Sequence, residues 1–118
     1  MTDIFVFGSN LAGRHGKGAA LCAFHDYGAE YHVGVGRTGQ AYAIPTKDGN
    51  LKSLPLGAIA LYVDNFIKYA KLNKDLTFQI TAIGCGLAGY TPEQMAPMFK
   101  DATPNCILPD SFKAVLAQ

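Results

Sequence analysis

Glycines and cationic side chains alternate in one short segment near the start of the chain. The run GRHGKG, residues 13–18, places Arg14, His15 and Lys17 between three glycines. Glycine lets a backbone approach a ligand closely, and the N–H groups of such a turn can surround an anion. The segment therefore predicts a loop that binds a diphosphate; an ordinary glycine-rich connection between two elements is the alternative.

This segment differs from the phosphate loop of the common NTP-hydrolysing proteins. That loop requires a glycine five residues before its Gly-Lys pair and a Ser or Thr directly after the pair. Here the two positions hold Leu11 and Gly18. The sequence therefore predicts phosphate binding at this loop without NTP hydrolysis of that type.

A second loop, GCGLAG at residues 84–89, has suitable surroundings for phosphate binding. It follows an apolar run that predicts a strand, and it precedes a predicted helix. Helix N-termini carry unpaired N–H groups, and ligands settle at the carboxyl ends of strands in α/β sheets. Too little chain follows for a dinucleotide-binding fold, so phosphate binding alone is predicted. The similar run GVGRTG, residues 34–39, leads into a strand pattern and predicts a turn.

The elements that would position these loops alternate between strands and helices. Short apolar, β-branched and aromatic runs predict strands at residues 3–8, 31–35, 41–44, 76–83 and 106–108. Helical signals predict helices at residues 17–27 and 56–70, from residue 91, and at residues 110–117. The helix over residues 56–70 is predicted from an apolar stripe at helical spacing, and the helix from residue 91 is predicted from a threonine cap followed by a proline, with Pro97 expected to disturb its later part. Pro45 is expected to end the third strand, and Ser53 is expected to cap the longest helix. The order predicts one α/β domain over residues 1–118 with a largely parallel sheet.

The composition narrows the classes of function. Of the 118 residues 49% are hydrophobic and 16% are charged, which fits a packed globule rather than a disordered chain. No apolar stretch approaches the roughly 18 residues of a membrane span, and no signal peptide is visible, so a cytoplasmic protein is expected. A net charge of +1 lacks the basic footprint of a duplex-binding protein. Three widely spaced cysteines match no zinc pattern, so neither a metal site nor a disulfide framework is expected. No cofactor is predicted.

Several single residues support two interpretations. Lys47 precedes an Asp-Gly turn, where a solvated lysine is usual, and Asn10 could brace a turn or cap a helix. Cys85 lies between two glycines near a helix N-terminus, which lowers the pKa of a thiol, but no partner His or Asp can be assigned to it. Tyr90 and His15 could each contact a ligand or pack inside the fold.

Three segments, taken in order, resemble the macro domains, the ADP-ribose-binding fold, and most closely their DNA and protein ADP-ribosyl glycohydrolase branch. Residues 10–21, NLAGRHGKGAAL, are similar to the branch's Asn-x-x-Gly-x-x-Gly-Lys-Gly-x-Ala-Leu loop. Residues 44–47, IPTK, are similar to its Phe-Pro-Thr-Lys, and residues 82–90, AIGCGLAGY, to its Leu-Gly-Cys-Gly-Leu-Gly-Gly-Leu. The resemblance covers most of residues 3–108. It implies a three-layer α/β/α macro-type domain with a mixed, mostly parallel central sheet.

The resemblance also implies roles for individual residues. The partner would be ADP-ribose or an ADP-ribosylated substrate, and Asn10 would contact its distal ribose. Lys47 would be catalytic, its amine attacking the anomeric carbon or assisting a water, which requires a depressed lysine pKa. The remaining residues that would bind the ligand are Gly13, Gly16, Lys17, Gly18, Thr46, Gly84, Cys85, Gly86 and Leu87.

The sequence departs from the family pattern at two places. One protein-directed branch has a catalytic aspartate where this chain has Ala88, so a Lys/Asp pair is not predicted. Macro domains usually have further N-terminal strands with an acidic residue for adenine, whereas this chain begins almost at the Asn10 strand, and Asp3 does not match that motif. The contact to adenine is therefore unassigned.

Two other functions fit the same residues. A non-catalytic module could use the pocket to read ADP-ribose marks or to sequester a nucleotide signal. A phage-like nucleic-acid-binding accessory protein could use the glycine loops as phosphate contacts. Under the ADP-ribose interpretation, nucleic acid enters only as a modified substrate.

Overall fold

The computed structural model describes residues 3–118 of the chain. Within that range the strands β1 to β5 span Asp3–Asn10, Gly36–Thr38, Ala41–Lys47, Thr77–Ile80 and Cys106–Ile107. The α-helices α1 to α4 span Gly18–Asp26, Leu56–Leu72, Pro92–Met95 and Asp110–Leu116. A 3₁₀ helix follows α3 directly and spans Ala96–Phe99.

The five strands form one sheet in the order β2-β3-β1-β4-β5. β1 lies at the centre and pairs in parallel with β3 and β4, with Phe5 opposite Ala41 and Ile4 opposite Phe78. β5 adds to β4 in parallel, while β2 pairs with β3 in antiparallel. The predicted mixed, mostly parallel sheet is thereby confirmed.

Alternating side chains along the central strands build a core on each face of the sheet. Ile4 and Val6 of β1 belong to the larger core cluster, which includes residues of α2, α3, the 3₁₀ helix and α4. Phe7 points into the smaller cluster on the opposite face, where Ala20 and Ala23 of α1 pack. Successive strand residues point to opposite faces, so both faces of β1 are covered. The result is a three-layer α/β/α arrangement, as predicted.

The longest helix, α2, forms because one face of it is apolar at helical spacing. Its buried residues are Ile59, Val63, Phe66, Ile67 and Ala70. The prediction of a cap at Ser53 was wrong: Pro55 occupies the N-cap position without a side-chain hydrogen bond. The Ser53 hydroxyl instead donates to the carbonyl of Ala88 at 2.6 Å, which ties the start of α2 to the loop after β4.

The start of α3 follows the sequence signal closely. The Thr91 hydroxyl accepts from the backbone N–H of Gln94, and the Gln94 side chain accepts from the backbone N–H of Thr91. Pro92 occupies the first helical turn, where its missing N–H has no consequence. Pro97, expected to disturb this helix, lies in the 3₁₀ segment that replaces its later part.

Residues 31–35, predicted as a strand, form none. The short strand β2 lies instead at Gly36–Thr38, inside the predicted turn. His32 has a left-handed backbone with φ of 71°, which no strand contains. The apolar residues of this segment lie in a loop, where Tyr31 and Val35 are 41% and 47% exposed.

Pro45 does not end β3, which continues to Lys47. β2 pairs with β3 only through residues 41–43, whereas Pro45 lies opposite Ser9 of β1, so β3 continues past the proline along β1. β4 is shorter than predicted because residues 81–83 turn, with the Ile83 N–H donating to the carbonyl of Thr81. No helix among residues 3–118 is both long and apolar enough to cross a membrane.

Candidate functional site

One cleft lies where the carboxyl ends of three neighbouring strands meet the N-terminus of α1. Its volume is about 570 Å³, within the range of small-molecule sites. The strands are β3, β1 and β4, and ligands bind at this edge of open α/β sheets. The lining residues are Gly8, Ser9, Asn10, Arg14, Gly16, Lys17, Gly18, Ala19, Ala20, Tyr31, Thr46, Lys47, Leu51, Thr81, Ala82, Ile83, Gly84, Gly86, Leu87 and Ala88.

The charges of this cleft are all of one sign. Arg14, Lys17 and Lys47 line it, and no Asp or Glu does so among the residues that the structure describes. Like-signed charges in a concave site raise the local concentration of ligands of opposite sign. The cleft therefore favours an anionic ligand.

The start of α1 supplies further positive character. Lys17 is the N-cap residue, and no side chain caps the helix there. The first N–H groups of a helix have no partner within it, and they carry a partial positive charge. Gly18, Ala19 and Ala20 line the cleft, so this helix end faces the same space as the three cations.

Asn10 braces the first loop with both ends of its side-chain amide. Its Nδ2 donates to the carbonyl of Arg14 at 2.9 Å, and its Oδ1 accepts from the N–H of Arg14 at 3.0 Å. The residue is buried although it lines the cleft. Asn10 therefore positions Arg14, which favours the turn-bracing interpretation of this residue.

Thr46 and Lys47 end β3 at the floor of the cleft. The Thr46 hydroxyl donates to the carbonyl of Ser9 at 3.3 Å and is buried. Lys47 is half-buried and lines the cleft, and its carbonyl accepts from the N–H of Leu11 at 2.9 Å. The backbone of Lys47 is thus fixed on both sides, since it also bridges to Ser53.

A tight turn after Lys47 presents a leucine to the cleft. The Asp48 carboxylate accepts from the N–H groups of Asn50 and Lys52, at 2.8 and 3.0 Å. These bonds hold Leu51 in a left-handed backbone with φ of 64°. Leu51 is 48% exposed and lines the cleft. Its unfavourable backbone conformation is therefore not offset by burial of its side chain in the core.

The glycine loop after β4 forms the opposite wall. Gly84 has φ of 81°, and a Cβ there would lie 2.9 Å from Met95 Sδ, so the position suits glycine alone. Gly86 and Leu87 line the cleft, and Leu87 is 67% exposed. Two largely exposed leucines, Leu51 and Leu87, therefore border the same opening.

Two predicted ligand residues, Gly13 and Cys85, do not line the cleft. A Cβ at Gly13 would lie 2.2 Å from the carbonyl carbon of His32, so this glycine permits two loops to approach each other. Cys85 packs against the larger core cluster. Burial raises the pKa of the Cys85 thiol, and the Glu93 carboxylate raises that pKa further, so the thiol is a weak nucleophile.

Two residues that had open interpretations pack inside the fold. The Tyr90 hydroxyl donates to the carbonyl of Leu54, and its ring packs against the larger core cluster. His15 is fully buried behind the cleft, with Nε2 at 2.9 Å from the carbonyl oxygen of Glu30. The other predicted residues meet at one cleft: Asn10, Gly16, Lys17, Gly18, Thr46, Lys47, Gly84, Gly86 and Leu87.

Sequence reasoning missed Tyr31 and Leu51 as lining residues. Neither belongs to a motif, and both depend on loop conformations that residue periodicity does not encode. The left-handed backbone conformations of His32 and Leu51 could not be predicted from the sequence, because neither residue is a glycine. Within residues 3–118, no group of three or more His, Cys, Asp or Glu side chains could hold a metal ion.

Comparisons with known proteins bear on the fold alone. No protein-family model matches the sequence, and no curated protein matches it significantly. A solved structure of a protein of unknown function from Bacteroides thetaiotaomicron is similar, with a TM-score of 0.64 and 18% sequence identity. The similarity covers 85% of this chain and 79% of that chain. The two proteins therefore share an α/β architecture.

Proposed function

We propose that this protein binds ADP-ribose, or a related NAD-derived nucleotide, and removes ADP-ribose from a modified target in the cytoplasm. The proposal rests on one observation: the three segments that resemble the macro-domain glycohydrolases reach the same cleft. Residues 10–21, 44–47 and 82–90 are far apart in sequence, yet each contributes to its lining. A chance likeness of three separate motifs would not require this convergence.

The chemistry of the cleft suits a nucleotide diphosphate. Arg14 and Lys17 lie beside the uncapped start of α1, and the diphosphate would occupy this region. A glycine-lined wall at residues 84–86 leaves room for a ligand to approach the backbone. The absence of acidic lining side chains among the described residues removes repulsion that would weaken phosphate binding.

Lys47 is the candidate for the catalytic side chain. In the proposed hydrolysis, water attacks the anomeric carbon of the distal ribose, and the bond between that carbon and the modified group breaks. The Lys47 amine would accept a proton from the attacking water and then return that proton to the leaving group. The Lys/Asp pair is absent here, because Ala88 lines the cleft in place of an acid.

Incubation with ADP-ribosylated thymidine DNA and with ADP-ribosylated protein tests this reaction. We expect release of ADP-ribose from one of the two substrates, and Lys47→Ala should lower the rate at least about 100-fold, the lower range for a general acid–base group. Lys52→Ala is the matched control, since Lys52 is exposed in the adjoining turn and does not line the cleft. Hydrolysis by Lys47→Ala at the parental rate would refute the assigned chemistry.

A non-catalytic ADP-ribose module is the second candidate. It is favoured by the lack of a carboxylate partner for Lys47 in the described cleft. Such a module would bind ADP-ribose with the same loops but would release none from either substrate. Binding without turnover would select this function over the hydrolase.

A further inference from the structure

Tyr31 supplies a half-exposed aromatic ring to a cleft otherwise lined by small, aliphatic, hydroxyl, amide and cationic residues. The residue is 41% exposed and lines the cleft together with Arg14 and Lys17. Aromatic rings exposed in this way can stack on planar ligand groups. The position therefore combines a ring with charges that suit a nucleotide.

Three neighbouring rings pack against Tyr31. His15, Phe24 and His32 contact it edge to face, at centroid distances of 5.7, 5.5 and 5.0 Å. His15 is itself fixed, because it is fully buried and its Nε2 lies 2.9 Å from the carbonyl oxygen of Glu30. The interplanar angles of 73° to 87° make all three contacts close to perpendicular.

The backbone that carries Tyr31 is fixed against the first glycine loop. The N–H of His32 donates to the carbonyl of Gly13 at 2.8 Å, and the Ser9 hydroxyl donates to the carbonyl of Gly34. A Cβ at Gly34 would lie 2.0 Å from the carbonyl oxygen of Asn10, so the two loops touch at backbone distance. His32 adopts its left-handed backbone within this contact. Tyr31 is thus held in place before any ligand arrives.

We propose that Tyr31 is a preorganised platform that stacks on the nucleobase of the bound nucleotide. Arg14 and Lys17 lie in the same cleft and would bind the phosphates, while Lys47 stands at the end of β3. This assigns the base contact that the sequence motifs leave open. The proposal rests on the ADP-ribose-binding function proposed above, with adenine as the stacked base.

Calorimetry on three forms of the protein tests the platform. Tyr31→Ala should weaken ADP-ribose binding about 5- to 140-fold, the range expected for loss of one base-stacking ring. Tyr31→Phe, the matched control, keeps the ring and should bind within about twofold of the parent. Pyrophosphate, which has no base, should bind all three forms equally.

A tryptophan reporter gives a second measurement. The chain contains no tryptophan, so Tyr31→Trp would carry its only indole. ADP and ADP-ribose should quench or shift its emission, whereas pyrophosphate at saturation should leave the emission unchanged. This readout depends on a base next to residue 31 and does not depend on catalysis.

The outcomes separate the platform from the function on which it rests. If ADP-ribose binds and Tyr31→Ala binds it equally well, the platform is refuted while the function stands. If Tyr31→Ala weakens pyrophosphate as much as ADP-ribose, residue 31 acts only through loop structure, and the platform is again refuted. If ADP binds and perturbs the indole emission of the Tyr31→Trp variant while ADP-ribose does neither, the platform stands and the proposed function fails. Absence of binding by all three ligands refutes both.

Discussion

Two non-glycine residues with left-handed backbones, His32 and Leu51, support the walls of the cleft. Their φ angles are 71° and 64°, in a region that costs an ordinary side chain about 1–2 kcal/mol. Such strain persists only where neighbouring contacts enforce it, and it is frequent at ligand sites. At Leu51 those contacts are the Asp48 turn, and at His32 they are the hydrogen bond to Gly13 and the ring of Tyr31.

Replacing Leu51 by asparagine should stabilise the fold. Asparagine tolerates the left-handed conformation, and Leu51 is half-exposed, so we expect Leu51→Asn to raise the free energy of unfolding by about 0.5–1 kcal/mol. Denaturant unfolding measures this change. Leu61→Asn is the control of opposite sign, since Leu61 is 69% exposed within α2, where asparagine is a poorer helix former. A Leu51→Asn protein less stable than its parent would contradict the strain argument.

At the scale of elements, helices α2 and α3 could be predicted because the interactions that form them lie within a few neighbouring residues. The apolar stripe of α2 and the Thr91 cap of α3 depend on spacing and hydrogen bonds within a few residues, and both are present. Residues 31–35 form a loop instead of the predicted strand. The conformation of this loop depends on its contact with the Gly13 loop, and the local sequence pattern does not indicate that contact. Pro45 was misjudged for the same reason, because its effect depends on how far β2 extends along β3.

The close contact between Gly13 and the backbone of His32 leads to a prediction about stability. Gly13→Ala would place a Cβ 2.2 Å from the carbonyl carbon of His32 at a φ of 67°, so we expect a loss of about 2–4 kcal/mol in unfolding free energy. Gly57→Ala is the matched control. Gly57 lies in α2 with open space around it, and alanine there should add about 0.5–1 kcal/mol.

Thermal and denaturant unfolding of the two variants measure these changes in unfolding free energy. Equal effects of the two substitutions would contradict the close approach of the loops. A folded Gly13→Ala protein with weakened pyrophosphate and ADP-ribose binding would show that the contact also shapes the cleft.

At the scale of the whole molecule, a nearly neutral chain concentrates positive charge at one place. The net charge is +1, yet three cations and the start of α1 border the cleft without an acidic side chain among its described lining residues. The parallel order of β3, β1 and β4 produces this arrangement, because the carboxyl ends of parallel strands lie at one edge of a sheet. The family resemblance implied that the motif loops contact one ligand, whereas Tyr31 and Leu51 follow no motif.

Titration calorimetry with ADP-ribose, run beside thermal unfolding, tests the central claim that this cleft binds a nucleotide diphosphate. We predict saturable heat with one site per chain and a melting temperature that rises with ligand concentration, because the ligand binds the folded state. Arg14→Ala and Lys17→Ala together should weaken that binding, since these cations line the cleft. Absence of both heat and thermal shift at millimolar ADP-ribose would contradict the account.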